Sequence, residues 1–373
     1  MNNTYCTESI SLSDKEKEIF ADHLKQQELS DNIWDLFQIW VEKSTAGINF
    51  FYLKAYDDEE LIGLGLFIKI KPFDMRTSYS ATRSNKFLSK MFSAVSDISN
   101  NCVYISLRNL VTSNITRPFF YKDPGMENVV MQAILTHLKN DKNADMISIL
   151  DTTVNDDNYK ISGFEKYPCS SEGSYDATRY RDISEYLDEH KNLKKNLKRK
   201  SDHVVTEIVR GPISAVDKEQ MKKCLDCSIE NSRVYTPSQK FIEDTIFDTE
   251  VFNSDKYVHI LIRVENTIAG FHIFHVSGLN MGGILGGFNR DYSHKNFVYE
   301  RIMTASLDYA IQNNIKRVNY SLIDNYTKLR LVNLLEPAAL YFYSRNPMNR
   351  FVFKSTYKFN DVNKLSLLEK QGH

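Results

Sequence analysis

The feature of this sequence that most constrains its fold is an order of predicted strands and helices that occurs twice. In the second half, apolar strands at 257–264, 268–276 and 281–288 precede a polar loop, a helix over 297–313 and a strand at 317–322. Matching elements follow one another in the same order about 180 residues earlier. The pattern predicts a structural duplication, because the halves share the order of their elements without a close sequence repeat.

The first half begins with apolar residues spaced as on one face of a helix, from Leu24 to Val41. An apolar strand pair follows, 50–56 and 60–70, joined by three acidic residues that form a turn. The other predicted elements of this half are a strand at 102–107, a loop over 117–125, a helix over 129–138, and strands at 146–150 and 174–180. A short helix from about 325 to 334 and a strand at 339–343 complete the corresponding order in the second half.

The chain has 373 residues, which exceeds the size at which a single hydrophobic core keeps growing. Together with the duplication, this length predicts a mixed α/β fold (α+β, mixed sheets) with two tandem domains. The predicted first domain is 1–180, with its leading helical segment. The predicted second domain is 181–373, which carries the more recognisable site.

Charge and cysteine content argue against several classes of function. Lys plus Arg number 47 and Asp plus Glu 48, so a net charge of -1 provides no global field for DNA or an acidic membrane. The five cysteines are an odd number scattered along the chain, which is not typical of a disulfide framework. The first residues lack the apolar core of a secretion signal, and the longest apolar run, 61–70, is too short to span a bilayer. We therefore expect a cytoplasmic protein with reduced thiols that binds neither DNA nor membrane.

A basic amphipathic helix is predicted to join the halves, beginning near Asp182 and ending near Ser201. Acidic residues precede basic ones along it, which is the order that complements a helix dipole. Six cations cluster towards its end, namely Lys191, Lys194, Lys195, Lys198, Arg199 and Lys200. Two interpretations stay open: a solvated helix face, or a surface that binds the phosphates of RNA or of a nucleotide-linked substrate.

Several motifs resemble those of a known family. They are the basic helix at the junction, Ala269-Gly270-Phe271, the run from Gly286 to Tyr292, and Asp308-Tyr309-Ala310. With its two tandem halves and these motifs, the chain resembles the Fem-type peptidyltransferase branch of the GNAT superfamily and its peptidoglycan-biosynthesis-like acetyltransferase relatives. The resemblance covers residues 180 to about 343. In the first half, Gly163-Phe164 resembles the dipeptide that often ends a GNAT helix before its last long strand.

The resemblance implies two GNAT-like acyltransferase domains, each with a sheet that splays at one end to admit an acyl donor. It also implies transfer of an acyl group from a thioester or an aminoacyl ester to an amine, with acyl-CoA or another acyl thioester as co-substrate and no tightly bound cofactor. One departure follows Phe288, where the chain lacks the Gln/Arg-x-x-Gly-x-Gly/Ala loop that holds a pyrophosphate. The donor therefore stays open among acyl-CoA, an acyl carrier protein and an aminoacyl-tRNA, and the expected acceptor is a small-molecule amine.

The loop over 289–296 leads into a helix and is the first candidate binding site. Backbone amides at a helix start lack partners within the helix and attract an anion. Ser293, His294, Lys295 and Asn296 are predicted to bind a donor phosphate, with His294 and Lys295 donating to its oxygens. The alternative is that Ser293 or Asn296 caps a surface helix and that the lysine is solvated.

The segment after the strand 317–322 is the candidate catalytic region. Acyl transfer to an amine requires a deprotonated nucleophile, a stabilised oxyanion and a protonated leaving group. In the region where GNAT relatives place substrate contacts, Tyr326 can protonate the leaving group and Asp324 can hold or deprotonate the amine. Lys328 can neutralise the oxyanion or a phosphate. Alternatively, these residues form a polar strand-to-helix connection with Asp324 as its N-cap.

Two histidines in the predicted strand 268–276 are further candidates. His272 and His275 lie three positions apart, so their side chains point to opposite faces and cannot bind one metal ion together. His275, nearer the strand end, is the predicted base, and the alternative is a structural histidine. Cys224 and Cys227 have Cys-x-x-Cys spacing within a helical pattern and without a second cysteine pair, so no metal site is predicted.

We expect an N-acyltransferase that binds its donor in the second half and a small amine or amino-acid derivative in the groove between the halves. The missing pyrophosphate loop and the basic helix favour a second hypothesis, an aminoacyl-tRNA-dependent transferase of Fem type. A third is a binding protein that keeps the GNAT scaffold without catalysis, because a fold by itself does not fix a function.

Overall fold

A computed structural model of the chain describes residues 4–45, 47–71, 102–106, 113–115, 117–152, 156–169, 171–199, 203–230, 247, 254–293, 295–322 and 326–357. Over these ranges the protein contains two mixed sheets, each surrounded by helices. The strands are, in chain order, β1 Thr4–Ser9, β2 Ile48–Asp57, β3 Glu60–Ile70, β4 Val103–Ser106, β5 Phe119–Tyr121, β6 Met146–Thr152, β7 Glu165–Pro168, β8 Glu172–Asp176, β9 Val204–Arg210, β10 Tyr257–Val264, β11 Thr267–Ser277, β12 Asn280–Phe288, β13 Arg317–Leu322, β14 Leu334–Glu336 and β15 Ala338–Ser344.

The helices divide between the two halves and the segment that joins them. They are α1 Asp14–Ile19, α2 Ala21–Gln26, α3 Asn32–Glu42, α4 Glu127–Asn140, α5 Asp156–Ile161, α6 Ile183–Glu189, α7 Lys191–Lys198, α8 Ala215–Glu230, α9 Arg290–Ser293, α10 Val298–Gln312, α11 Tyr326–Leu331 and α12 Pro347–Tyr357. Across the described ranges, no helix has both the length and the apolar character needed to cross a lipid bilayer.

Each sheet is a run of antiparallel strands interrupted by one parallel pair. The first sheet has the order β1-β2-β3-β4-β6-β15-β7, with β5 pairing to β3, and β4 and β6 are its parallel neighbours. The second has the order β14-β8-β13-β12-β11-β10-β9, and β12 and β13 are its parallel neighbours. The repeated arrangement confirms the predicted duplication in a mixed α/β fold.

The two sheets exchange a strand. β8 precedes residue 180 but pairs with β13 and β14 of the second sheet. β15, near the end of the chain, pairs with β6 and β7 of the first sheet. The strands predicted at 174–180 and 339–343 are therefore present, but each completes the sheet of the other half. That residues 1–180 and 181–373 form separate domains stays a prediction.

One hydrophobic cluster runs through both halves. It includes Trp34 and Trp40 of α3, each 1% exposed, together with Met221 of α8 and Phe271 of β11. Apolar spacing along α3 places its buried face in this cluster, where Trp34 packs on Phe120 and Trp40 on Phe50, which explains the helical pattern that opens the sequence. Two further clusters fill the space between each sheet and its own helices.

Polar contacts add to this interface where the turn between α2 and α3 meets the β11–β12 hairpin. The amide of Ser30 donates to Ser277 Oγ at 3.0 Å, and the amide of Leu279 donates to the carbonyl of Glu28 at 2.9 Å. Gly278 has φ +59°, and a Cβ there would lie 2.3 Å from the Glu28 carbonyl oxygen, so this contact requires glycine.

Two sequence predictions need correction. The predicted loop over 117–125 contains strand β5, which pairs with β3. The basic helix predicted as one element is two, α6 and α7, because His190 has φ -110° and ψ 61° and interrupts the helix. Asp182 caps α6 as expected, accepting from the Ser184 amide at 2.8 Å. The apolar stripe of α6 and α7 packs on the second-half core and not between the halves.

The strand exchange predicts that the two halves depend on one another for folding. We expect fragments 1–180 and 181–373, produced separately, to show no cooperative urea unfolding, because each sheet then lacks one of its inner strands. Mixing the fragments is expected to restore a single transition, measured by circular dichroism, and a 1:1 complex on size-exclusion chromatography. Independent cooperative unfolding of both fragments would contradict this dependence.

Candidate functional site

An opening in the second sheet lies where its parallel strands separate. β12 and β13 pair only at their first three positions, from Asn280 with Arg317 to Gly282 with Asn319. On its other edge, β13 pairs with β8. Ser321 of β13 has φ +64°, which turns its backbone out of regular strand geometry. Beyond Gly282, therefore, the edge of β12 that lies opposite β11 has no pairing partner in β13.

Exposure along β12 shows the same opening. This strand lies inside a seven-stranded sheet, yet Ile284, Leu285, Gly286 and Phe288 are only partly buried. Its register with β11 also shifts, since Phe274 pairs with Gly283 and Ile273 with Leu285. Ile284 is thus the extra residue of a β-bulge, a feature that re-aims backbone groups next to many active sites.

Serine side chains bind both ends of the open edge. The carbonyl of Gly283 accepts from the amide of Ser113 at 2.9 Å and from its hydroxyl at 3.1 Å. At the other end, the amide of Phe288 donates to Ser228 Oγ of α8 at 2.7 Å. Within the described ranges, residues 284–287 have no other backbone partner on this edge. The free edge is about 13 Å long at 3.3 Å per residue.

His272 of β11 lies against the open strand. A Cβ at Gly283 would lie 2.6 Å from His272 Nε2 and one at Gly286 2.8 Å from Nδ1, so both glycines leave room for the imidazole. The ring stacks on Phe274 at 4.4 Å and meets the edge of Tyr320 at 6.1 Å between centroids. The side chain is partly exposed, and its ring nitrogens form no hydrogen bond with the described residues.

The surroundings of His272 keep its imidazole neutral. Burial lowers the pKa of His272 to about 3, and the Lys328 ammonium contributes to the shift. Lys328 is itself 6% exposed, and its Nζ donates to the carbonyl of Tyr320. The Tyr320 hydroxyl contacts Ser306 Oγ of α10, and burial raises its pKa well above the ordinary value. The cluster therefore combines a neutral imidazole with one buried cation.

Of the predicted catalytic residues, Tyr326 and His275 lie within the described ranges. Tyr326 begins α11 and is 53% exposed. His275 lies on the opposite face of β11 from His272, as predicted from their spacing, and is 0% exposed beside the Tyr257 ring. Burial, with the Lys256 charge, lowers the pKa of His275 to about 3. The structure thus brings His272 and Lys328 together and places His275 elsewhere. Asp324 lies outside the described residues.

The predicted phosphate loop uses several of its amides internally. The amide of Ser293 donates to the Asn289 carbonyl at 2.9 Å, and that of Asn296 to the Tyr292 carbonyl at 3.2 Å. Lys295 is exposed, and His294 lies outside the described residues. Phe297, with φ 54°, occupies the N-cap position of α10 and provides no side-chain cap. Binding of a donor phosphate by the four loop residues stays a prediction.

A basic cleft lies near this loop. Its volume is about 520 Å³, and its lining residues are Lys191, Lys194, Lys195, Lys198 and Arg199. Arg301 of α10 connects the two regions, because its Nη2 donates to the Leu197 carbonyl at 2.8 Å and its Nε to the Asn296 carbonyl at 3.0 Å. Lys194 pairs with Asp188.

Sequence reasoning missed the roles of Tyr320, Ser113 and Ser228, and it did not choose His272 over His275. A signal for part of this site was present in β12, where two Gly-Gly pairs flank Ile284-Leu285. Glycines inside a strand indicate close approach of another group or a bulge. Cys224 and Cys227 lie on α8, and the thiol of Cys224 donates to the Ile268 carbonyl at 3.1 Å, which is a packing role.

Comparison with known proteins identifies the fold. No protein-family model matches the sequence, and no curated protein matches it either. Among solved structures, FemX superposes with a TM-score of 0.56 at 10% identity, over 94% of this chain and 100% of that one. L-PGS from Bacillus licheniformis gives 0.54 at 9% identity, over 91% and 95%. A tandem GNAT protein from the clavulanic acid biosynthesis pathway gives 0.54 at 9%, over 92% and 99%. The chain thus shares the fold of these proteins, a tandem GNAT-like fold, as the sequence predicted.

The buried histidines predict a protein that loses stability in mild acid. His259 and His275 are 0% exposed, and burial lowers their pKa to about 4 and about 3. Unfolded histidine titrates near 6.5, so the unfolded chain binds more protons below that pH and stability falls as pH falls. Each such histidine is expected to cost about 2 kcal/mol of unfolding free energy between pH 7 and pH 5.

Urea unfolding at pH 7, 6 and 5 measures this loss. His259→Gln and His275→Gln should each make the pH dependence shallower by about one proton, while His203→Gln, at an exposed histidine, serves as the control. A pH dependence that neither buried-site variant changes would contradict the assignment.

Proposed function

We propose that this protein is an N-acyltransferase that moves an acyl group from an acyl thioester, acyl-CoA or carrier-protein-bound, to the amine of a small metabolite or amino-acid derivative. The observation that carries this proposal is the open edge of β12 between Gly283 and Phe288. An extended ligand that bears amide groups can add to such an edge as a short extra strand.

The arm of a pantetheine thioester has the required chemistry. It is extended, and its two amide groups can each donate and accept a hydrogen bond. Successive residues of a strand alternate the direction of their backbone groups, so Gly286, two positions before Phe288, also directs its amide and carbonyl away from β11. The glycines of β12 leave this edge accessible, and the bulge at Ile284 interrupts the regular ladder where we place the thioester.

Acyl transfer at this position requires attack of a neutral amine on the thioester carbon. The C–N bond forms, the C–S bond breaks, and the amine proton finally reaches the leaving thiolate. Backbone amides near the bulge are suited to stabilise the intermediate oxyanion, because they are held in place before reaction. His272, kept neutral by burial and Lys328, can accept a hydrogen bond from the attacking amine and orient its lone pair. Tyr326 and Asp324 keep their predicted roles as proton donor and amine ligand. His275 was the predicted base, but it is fully buried on the face of β11 opposite His272, which fits its alternative role as a structural histidine.

The solved structures support a transferase of this class. The solved structure of the tandem GNAT protein from the clavulanic acid pathway is a form without AcCoA. For that protein, therefore, the thioester AcCoA is named. We place the amine acceptor between the halves. Ser293, His294, Lys295 and Asn296, with Lys328, remain the proposed contacts for the donor's phosphates or developing charge.

One observation favours a second candidate, transfer from an aminoacyl-tRNA. Four lysines and Arg199 line a single cleft, and Arg301 connects its helix to the loop before α10. A polyphosphate backbone can bind there, because phosphate binding requires cations and no specific motif.

Removal of the imidazole tests the thioester proposal. We expect wild-type protein to form acylated amines from a panel of acyl-CoA and acyl-pantetheine donors with an amine pool, followed by mass spectrometry. His272→Asn is expected to lower kcat roughly 10-fold, as for the loss of one hydrogen bond that orients the attacking amine, with a smaller change in KM. His203→Asn, at an exposed position, is the matched control. Full activity of His272→Asn would exclude this role for the imidazole, and wild-type protein inactive with every donor would exclude thioester transfer.

Charge removal on α7 separates the two donors. Lys191→Gln with Lys195→Gln should weaken tRNA binding and reduce its salt dependence by about two counterions, if tRNA is the donor. Thioester transfer from a minimal acyl-pantetheine should be unchanged by the same pair of substitutions. Filter binding from 50 to 300 mM salt measures the first quantity, and a tRNA affinity equal to that of wild type would count against the tRNA candidate.

A further inference from the structure

The strand of the first half that corresponds to β12 is divided. β4 and β5 both pair with the same edge of β3, since Ser106 pairs with Phe67 and Phe119 with Gly65. Between these pairs, the amide of Leu66 donates to the Pro118 carbonyl at 3.0 Å. β4 and β5 are therefore two pieces of one strand line, and residues 107–118 are inserted between them.

Part of this insertion is buried against the second half. Ser113, Asn114 and Ile115 are 6%, 4% and 2% exposed. Ser113 gives both of its hydrogen bonds to the Gly283 carbonyl, and Asn114 Nδ2 donates to the carbonyl of His275 at 2.9 Å. A short polar segment of the first half thus binds the two strands, β11 and β12, that form the bulge.

The adjacent glycines of β12 are enclosed from both faces of the sheet. A Cβ at Gly282 would lie 2.4 Å from the Asn114 amide nitrogen, whereas one at Gly283 would lie 2.6 Å from His272 Nε2. Successive residues of a strand point to opposite faces, so the insertion packs on one face and the imidazole on the other. Only residues without a side chain allow both contacts.

These contacts compensate for what the bulge removes. A bulge interrupts the ladder and leaves backbone groups without a strand partner, which is costly for buried groups. Ser113 and Asn114 supply partners to the carbonyls of Gly283 and His275, which both lie on the Phe274 side of the register shift between Ile273 and Phe274. They thereby fix the strand segment that borders the bulge, at the point where the free edge of β12 begins.

We propose that Ser113 and Asn114 are positioning residues through which the first half holds the β12 bulge and the His272 imidazole in the geometry needed for transfer in the second half. This inference rests on the proposed acyltransferase function and extends it, because it makes the first half part of the active site. Neither residue needs to touch the substrate, since both act through the backbone of β11 and β12.

The test compares the variants Ser113→Ala and Asn114→Ala, singly and together, with Ser344→Ala. Ser344 is a suitable control because it is 2% exposed and its hydroxyl also donates to a backbone carbonyl, that of Asp145 at 2.7 Å, in the first sheet. We expect the double variant to lower kcat 10-fold or more with KM for the thioester changed less than 3-fold, and Ser113→Thr to retain most of the activity that Ser113→Ala loses.

Hydrogen–deuterium exchange supplies a readout that general destabilisation does not produce. Exchange of the peptide spanning 281–289 should become faster in Ser113→Ala and Asn114→Ala and stay unchanged in Ser344→Ala. If the double variant does not fold, the single variants decide the question. The positioning role is overturned if Ser113→Ala and Asn114→Ala lose no more kcat than Ser344→Ala, or if exchange of 281–289 is unchanged in them. Acyl transfer by the wild-type protein would still uphold the proposed function in that case. Wild-type protein that transfers no acyl group overturns the function itself, and with it this inference.

Discussion

Each sheet of this protein is completed by a strand from the other half of the chain. β8 lies between β13 and β14, and β15 lies between β6 and β7, so neither sheet exists in full without both halves. The shared cluster around Trp34 and Phe271 and the contacts of Ser30 and Leu279 then fix the relative position of the sheets. Because of this fixed position, residues of the first half can contribute to a cleft in the second.

The cleft itself depends more on backbone than on a set of catalytic side chains. β12 pairs with β13 for only three positions, and the bulge at Ile284 interrupts its ladder with β11, which leaves backbone groups available to a ligand. Burial and the Lys328 ammonium lower the pKa of His272 to about 3, so its imidazole is neutral near pH 7. A neutral imidazole can accept a hydrogen bond without first losing a proton, which suits interaction with an amine.

Much of the fold could be predicted because it rests on local periodicity. The hairpin of β2 and β3, the strands β10 to β12 and the long helices α4 and α10 follow directly from runs of apolar residues at strand or helix spacing. The interruption at His190 was missed, since apolar spacing continues across it. β5 was missed because three residues beside a proline give too short a pattern, and their strand state comes from pairing with β3.

The sequence by itself determined the duplicated order of elements and the opposite faces of His272 and His275, because both follow from spacing along the chain. The tandem GNAT-like fold was implied by the resemblance of its motifs to a known family. Only the tertiary structure decided which strand completes which sheet, and which histidine lies at the open strand. It also brought Ser113 and Asn114 to Gly282 and Gly283. Ser113 and Gly283 are 170 positions apart in the sequence. Contacts over such a distance depend on how two sheets pack, and packing leaves no periodic trace in the sequence.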